Sequence, residues 1–305
     1  MSKLVSNKMD FKDLLGTYPL QIGVGNKKNK EVILDSLWNS GSRLIDLGCS
    51  YPGKNNDIIN NFISNKQDFV LCQQLPLEDS EIFKKFGFHI YEASDSQLES
   101  VIDNIIQKQL ENNNVDFYHI YLIHSIFSSR FFENIQDDIN LYIRIFNILK
   151  TYKENGIIQH LGFSTSIDFD TLELFIFKLQ SAKLINIVDV AMVPYNLLSY
   201  NILTIRNLLK LNVWDSPGLE GLKLLKNNNF TTLCMTPFER GLISEYINIL
   251  PELGYNINNI SENAYGSLFN CEYLDYILLG TSSMEHLSEI YEAYNKFKNS
   301  QLNLI

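Results

Sequence analysis

Short apolar runs recur along the whole chain, and they are separated by segments with a helical repeat. Each run is almost continuously apolar and rich in β-branched or aromatic residues, which is typical of strands buried on both faces of a parallel sheet. The runs span residues 20–25, 43–48, 69–75, 117–124, 158–164, 187–193, 231–236 and 276–281. This pattern predicts eight parallel strands.

The intervening segments carry apolar residues at the three- and four-residue spacing of amphipathic helices. The stripe from Leu98 to Leu110 follows Ser96-Gln-Leu-Glu99, a capping-box pattern. The stripe from Ile139 to Tyr152 precedes Gly156, a residue type that commonly ends helices. Two further stripes comprise Val32, Ile33, Leu37 and Trp38 before Gly41, and Leu287, Ile290, Tyr291, Tyr294 and Phe297. We interpret all four as faces that pack on a core.

Strands that alternate with helices over ~280 residues predict an α/β fold, the (β/α)₈ TIM barrel. The rival is a doubly wound open sheet, which would carry a glycine-rich phosphate turn after its first strand. The stretch Ile22-Gly-Val-Gly-Asn-Lys lacks the third glycine of that turn. No segment rich in Pro, Gly or Ser divides the chain, so we expect a single domain over residues 1–305.

Composition and charge argue against several classes of binding partner. The chain is 45% hydrophobic with a formal charge of -10, which argues against nonspecific binding to nucleic acid or an anionic membrane. No apolar run approaches the ~20 residues of a membrane-spanning helix, and the first residues lack a signal-peptide core. The cysteines are far apart, which predicts reduced thiols in a cytoplasmic protein and no metal site. We expect a small-molecule substrate. The sequence gives no information on the oligomeric state.

Polar residues follow three neighbouring strands, and three of the four can donate or accept a proton. Asp46 and Tyr51 come at the end of the second run, Gln74 ends the third, and His124 ends the fourth. Because the carboxyl ends of barrel strands build the active site, we expect these four side chains to share a pocket.

Six short motifs carry a resemblance to a known family. They are Ile45-Asp46-x4-Tyr51, Asp116-x4-Tyr121-Leu-Ile-His124, Gly156-x5-Gly162-Phe-Ser164, Tyr195-Asn196, Pro237-x3-Gly241-Leu242 and Leu279-Gly280. Their order and strand context resemble the aldo-keto reductases, from Ile22 to about Tyr294. Each motif is weak alone, and the set is fairly specific.

The resemblance implies that a tyrosine donates a proton to a carbonyl oxygen while hydride reaches the carbon. Tyr51 is the implied donor, His124 orients the carbonyl, and Asp46 supports the site. The family places a lysine where this chain has Gln74. An ammonium would lower the phenol pKa from its ordinary value near ~10, and a neutral amide cannot.

The cofactor implied by the resemblance is NAD or NADP. Ser164 is kept, whereas Thr165 and Met192 replace the asparagine and glutamine that hold the nicotinamide carboxamide. Gly280 and Ser282 lie in a turn that could cradle phosphate. The basic residues that clamp a 2′-phosphate are replaced by Met284, Glu285 and His286.

Two main hypotheses remain open, of which we favour the first, and a third reading is a non-catalytic regulatory or interaction subunit. The first is an oxidoreductase that acts on an aldehyde or ketone, such as a sugar, with an atypical active site. The alternative is a barrel that has lost hydride transfer: a cofactor-independent lyase, epimerase or isomerase with Tyr51 and His124 as acid and base, or a non-catalytic ligand-binding barrel. Structural roles for Asp46, Tyr51 and His124 also stay open, and we expect His119 to be structural.

Overall fold

Eight parallel strands close into a barrel in the computed structural model of the chain. The structure describes residues 15, 17–23, 30–48, 62, 69–77, 86–127, 134–200, 215–238, 260–281 and 283–302. Each strand pairs with the next along the chain, and β8 returns to pair with β1 through Leu20–Ile277 and Ile22–Leu279. The predicted TIM barrel is therefore confirmed.

The strands lie close to the eight predicted runs. They are β1 (Leu20–Gly23), β2 (Leu44–Asp46), β3 (Val70–Leu75), β4 (Tyr118–Ile126), β5 (Ile158–Thr165), β6 (Val188–Pro194), β7 (Thr231–Met235) and β8 (Tyr276–Leu279).

Helices connect the strands within the described ranges. They are α1 (Lys30–Ser40), α2 (Asp95–Asn113), α3 (Ile135–Glu154), α4 (Phe169–Ser181), α5 (Gly218–Asn227), α6 (Ile260–Phe269) and α7 (Met284–Leu302), with a 3₁₀ turn at Leu197–Tyr200. None of these helices combines the length and apolarity needed to cross a bilayer.

Alternation along the strands produces two buried layers. One apolar cluster lies inside the barrel and includes Leu44, Val70, Ile120, Leu122 and Met192. A larger cluster joins the outer faces of the strands to the helix stripes, such as Leu98 to Leu110 on α2 and Ile139 to Tyr152 on α3. Because both faces of each strand are covered, the strand sequences are almost continuously apolar.

Two local predictions were wrong. The capping box of α2 is formed by Ser94 and Gln97, two residues before the predicted Ser96-x-x-Glu99, because the helix begins at Asp95. Val32 is 57% exposed, although it was assigned to the packing stripe of α1. A single helix-spaced position at the end of a stripe is weakly determined, because a small rotation of the helix carries it to solvent.

The amino-terminal end of the barrel holds a polar network. His119 Nδ1 accepts a hydrogen bond from the Leu71 amide at 3.2 Å, and burial lowers the His119 pKa to about 4, with a smaller contribution from His160. Asp189 accepts from Lys153 Nζ at 2.9 Å and lies 3.0 Å from His160 Nδ1. Uncharged His119 thus holds two strands together, as a structural histidine does.

Candidate active site

Three of the four predicted catalytic side chains come together at the carboxyl end of the barrel. Asp46 ends β2 and pairs in register with Cys72 of β3, so the side chain of Gln74 reaches it from the neighbouring strand. Gln74 Nε2 donates to Asp46 Oδ1 at 2.8 Å. His124 is close enough to Asp46 to lower its pKa through an electrostatic interaction. Tyr51, the fourth, lies outside the described residues.

Asp46 is a carboxyl group whose charge is only partly compensated. Burial raises the Asp46 pKa above its ordinary value, whereas hydrogen bonds from Gln74 and the Gly48 amide, and the electrostatic effect of His124, lower it. The Gly48 amide donates to the same oxygen, Oδ1, at 3.0 Å. Both donors are neutral, so they satisfy the carboxyl oxygen without supplying the positive charge that a lysine would bring.

The side chain of Gln74 joins the two halves of the site. It is 4% exposed, and its amide touches residues on three other strands. Besides donating to Asp46, Nε2 lies 3.9 Å from Met192 Sδ, and Oε1 accepts from Ser164 Oγ at 3.5 Å. One amide therefore links the predicted catalytic group Asp46 to two of the predicted cofactor-binding residues.

A second layer of amides holds the strand that carries Gln74. Gln73 Oε1 accepts from the Gln74 amide at 2.8 Å, and Gln109 of α2 donates from Nε2 to the Gln74 carbonyl at 3.0 Å. Tyr121 Oη in turn donates to Gln109 Oε1 at 2.6 Å. The role of Gln109 was not predicted from the sequence. Its position as a polar residue at the edge of an otherwise apolar helix stripe could have indicated a buried hydrogen bond.

The end of β4 is irregular where it enters the site. Its register with β5 shifts between Ile123 and Ile126, and Ser125 has φ +48°. The Ser125 amide donates to Ser164 Oγ at 2.8 Å, and its hydroxyl lies 3.1 Å from His124 Nε2. Bulges of this kind re-aim side chains next to active sites. Sequence periodicity ended the strand at His124 and so could not indicate the contribution of Ser125.

The residues predicted to hold a nicotinamide do not fit it in this arrangement. A carboxamide needs a hydrogen-bond donor and an acceptor, but the Ser164 proton is directed at Gln74 Oε1 and the buried Thr165 Oγ1 donates to the Ile126 carbonyl at 2.8 Å. Met192 is 2% exposed and has no N–H or O–H group in its side chain. Gly280 is exposed after β8, and Ser282 lies outside the described residues.

The fold resembles solved aldo-keto reductases at low sequence identity. PA4992 of Pseudomonas aeruginosa, assigned as an aldo-keto reductase, aligns with a TM-score of 0.57 and 16% identity over 92% of this chain and 94% of its own. The aldo-keto reductase AKR11C1 of Bacillus halodurans, in its holo form, gives 0.56 and 14% over 89% and 85%. An aldo/keto reductase of Brucella melitensis gives 0.54 and 13% over 90% and 88%.

Sequence comparison agrees with the structural one. No curated protein matches the chain significantly. The model of the aldo/keto reductase family, however, matches residues 14–256, which is most of the chain and includes every strand from β1 to β7. The chain therefore belongs to the aldo/keto reductase family.

Proposed function

We propose that this protein is an oxidoreductase that reduces an aldehyde or ketone on a small molecule such as a sugar. The observation that carries the proposal is the convergence of Asp46, Gln74 and His124 at the carboxyl end of a family barrel. In a (β/α)₈ barrel this end holds the active site. A carbonyl oxygen placed there would meet hydrogen-bond donors as negative charge develops on it.

Each proposed role follows from the chemistry of the side chain. His124 lies at the bulged end of β4 and would donate a hydrogen bond that orients the carbonyl oxygen. Tyr51 would deliver the proton. Asp46 would hold Gln74 in place through the 2.8 Å hydrogen bond, rather than pairing with a cation.

Gln74 favours one direction of the reaction. Reduction requires a neutral phenol that gives up a proton, whereas oxidation requires the phenolate as a base. Because an amide does not stabilise the phenolate, Tyr51 would remain protonated over the neutral pH range. We therefore propose slow reduction and poorer oxidation than a lysine-containing site would support.

Family membership makes a nicotinamide nucleotide, NAD or NADP, the proposed source of hydride. Gly280 and Ser282 would contribute to the phosphate site, and Ser164, Thr165 and Met192 would lie at the nicotinamide end. Hydrogen bonds within the protein already use the two hydroxyl groups. The described residues thus favour weak binding of the nicotinamide end.

The internally bonded hydroxyls also support a second candidate function. A barrel that no longer binds nicotinamide could still use Tyr51 and His124 as acid and base in a cofactor-independent elimination, epimerisation or isomerisation, or could bind a ligand without turnover. A cytoplasmic location is proposed for either function, because Cys72, Cys234 and Cys271 are free, buried thiols.

A steady-state assay tests the proposed function. The purified protein is mixed with NADPH or NADH and with an aromatic aldehyde or an aldose, and cofactor oxidation is followed. We expect slow turnover that Tyr51→Phe abolishes and that Gln74→Lys raises about tenfold or more, since the ammonium would stabilise the developing charge. Absence of cofactor oxidation by both the wild type and Gln74→Lys across carbonyl substrates would contradict the oxidoreductase proposal.

A further inference from the structure

We propose that the side-chain amide of Gln74 occupies the place of a nicotinamide carboxamide, so that a nicotinamide ring enters only when Gln74 withdraws. The inference rests on the proposed function, because it concerns how a nicotinamide nucleotide would bind. It adds a second role for Gln74. Besides standing in the place of a lysine, its side chain would occupy the volume that the nicotinamide carboxamide needs.

The chemical identity of the two groups carries the first step. Gln74 and nicotinamide both end in a primary carboxamide, with one carbonyl acceptor and two N–H donors. Gln74 Oε1 accepts from Ser164 Oγ at 3.5 Å, and Nε2 lies 3.9 Å from Met192 Sδ. These are two of the positions proposed to bind the nicotinamide carboxamide, so an amide of the protein already contacts them.

Hydrogen-bond capacity carries the second step. A serine hydroxyl has a single proton, and that of Ser164 is directed at Gln74 while its oxygen accepts from the Ser125 amide at 2.8 Å. Thr165 donates its proton to the Ile126 carbonyl. The pair of hydroxyls therefore offers no donor to a second carboxamide while Gln74 keeps its position.

Burial carries the third step. Gln74, Ser164 and Met192 are 4%, 1% and 2% exposed, so the amide fills a closed place between strands rather than a wide cleft. Withdrawal of Gln74 would break its bond to Ser164 and its 2.8 Å bond to Asp46. The adenosine and phosphate part of a dinucleotide does not face this loss, because only the nicotinamide end competes with Gln74.

Equilibrium binding measurements can determine how much each end of the dinucleotide contributes to affinity. Isothermal titration calorimetry compares NADPH and NADH with 2′-phospho-ADP-ribose and ADP-ribose, which lack nicotinamide, on the wild type and on Gln74→Ala. We expect the wild type to bind each dinucleotide no more tightly than its nicotinamide-free analogue. In Gln74→Ala the dinucleotides should bind about tenfold more tightly than in the wild type, a gain typical of one or two recovered polar contacts, while the analogues are unchanged.

The neighbouring glutamine provides a matched control. Gln73 is 6% exposed and lies on the same strand, but its side chain accepts from the Gln74 backbone rather than contacting Ser164. Gln73→Ala should change the binding of dinucleotides and analogues by the same factor. Gln74→Lys is the second test variant if Gln74→Ala does not fold, because it keeps an N–H donor for Asp46 and removes the amide.

The outcomes distinguish this inference from the proposed function. If the wild type binds NADPH at least tenfold more tightly than 2′-phospho-ADP-ribose, or if the Gln74 variants do not selectively tighten dinucleotide binding, the inference is wrong and the reductase proposal stands. If neither dinucleotides nor analogues bind the wild type, Gln74→Ala or Gln74→Lys, both are wrong.

Discussion

At the scale of single residues, the Gln74 amide can donate a hydrogen bond to Asp46 but cannot provide a positive charge beside it. Gln74 supplies the hydrogen bond that Asp46 needs, at 2.8 Å, but it supplies no charge. Burial therefore remains the largest influence on Asp46 and raises its pKa. Asp46 also raises the pKa of the buried Cys72 thiol, after burial itself, so this thiol is a poor nucleophile.

Replacing Asp46 with asparagine should change how stability depends on pH. Because the folded protein holds the Asp46 proton to higher pH than the unfolded chain, unfolding releases this proton, and the contribution of Asp46 to wild-type stability falls as pH rises above the ordinary value of 3.8. The fall ends once pH exceeds the raised pKa. The asparagine side chain of the variant does not titrate. The free energy of unfolding of Asp46→Asn relative to the wild type should therefore increase from about pH 4 towards neutrality.

Urea unfolding of both proteins over this pH range measures the difference. Both proteins keep His124 and Cys72, described titratable groups that interact with Asp46, so the comparison reports the change at residue 46 together with its effect on these two neighbours. A difference that is constant with pH, or that decreases as pH rises, would show that burial does not dominate the behaviour of Asp46.

At the scale of elements, local hydrogen bonds decide where helices begin. Ser94 precedes α2 and accepts from the Gln97 amide at 3.3 Å, while Gln97 Oε1 accepts from the Ser94 amide at 2.8 Å. The sequence contains a competing pattern two residues later, and the structure uses the earlier one. Leu98 and Val101, in the first two turns of this helix, lie on its buried face.

Ser94→Ala should destabilise the protein by about 1 kcal/mol, the usual effect of losing an N-cap hydrogen bond. Ser96→Ala is the matched control, because Ser96 lies inside the first turn and its hydroxyl bonds only with Ser94 Oγ, at 3.1 Å, among the described contacts. We expect the control to change stability by no more than about 0.5 kcal/mol. A larger effect at Ser96 than at Ser94, measured by thermal or urea unfolding, would favour the capping box predicted from sequence.

At the scale of the whole molecule, closure of the barrel depends on close approach between β5 and β6. Their register shifts between Leu161 and Gly162. A Cβ atom at Gly162 would collide with the Val190 carbonyl oxygen and would lie 2.7 Å from Leu122 Cδ2 inside the barrel. Glycine at this position therefore lets the backbones of β5 and β6 approach closely.

Gly162→Ala should destabilise the protein by about 3 kcal/mol, at the upper end of the usual range for overpacking, because the clash involves backbone and a packed core. Gly266→Ala on α6 is a control for the same chemical change, since the nearest atom to its added methyl group, apart from its chain neighbours and the nearby helix backbone, would be Asn270 Nδ2 at 3.8 Å. That variant should be neutral or up to about 1 kcal/mol more stable. Equal unfolding midpoints for the two variants would refute the close-approach argument.

The sequence by itself determined most of the architecture. Continuous apolar runs require burial on both faces, and helix-spaced stripes require a partner surface, so the eight strands and the buried stripes of α2 and α3 followed from local pattern. The expectation that Gln74 stands where the family has a lysine came from the resemblance in sequence, and it stays a prediction.

Tertiary structure alone decided which hydrogen-bond donors and acceptors in the site pair with one another. The contacts of Gln74 with Asp46, Met192 and Ser164 join residues 28, 118 and 90 positions apart in the chain, and no local periodicity encodes such pairs. The bulge that brings the Ser125 amide to Ser164 depends likewise on the register between β4 and β5. Local pattern indicates most of the buried side chains, although it wrongly included Val32, whereas hydrogen-bond partners depend on distances that exist only once the barrel has closed.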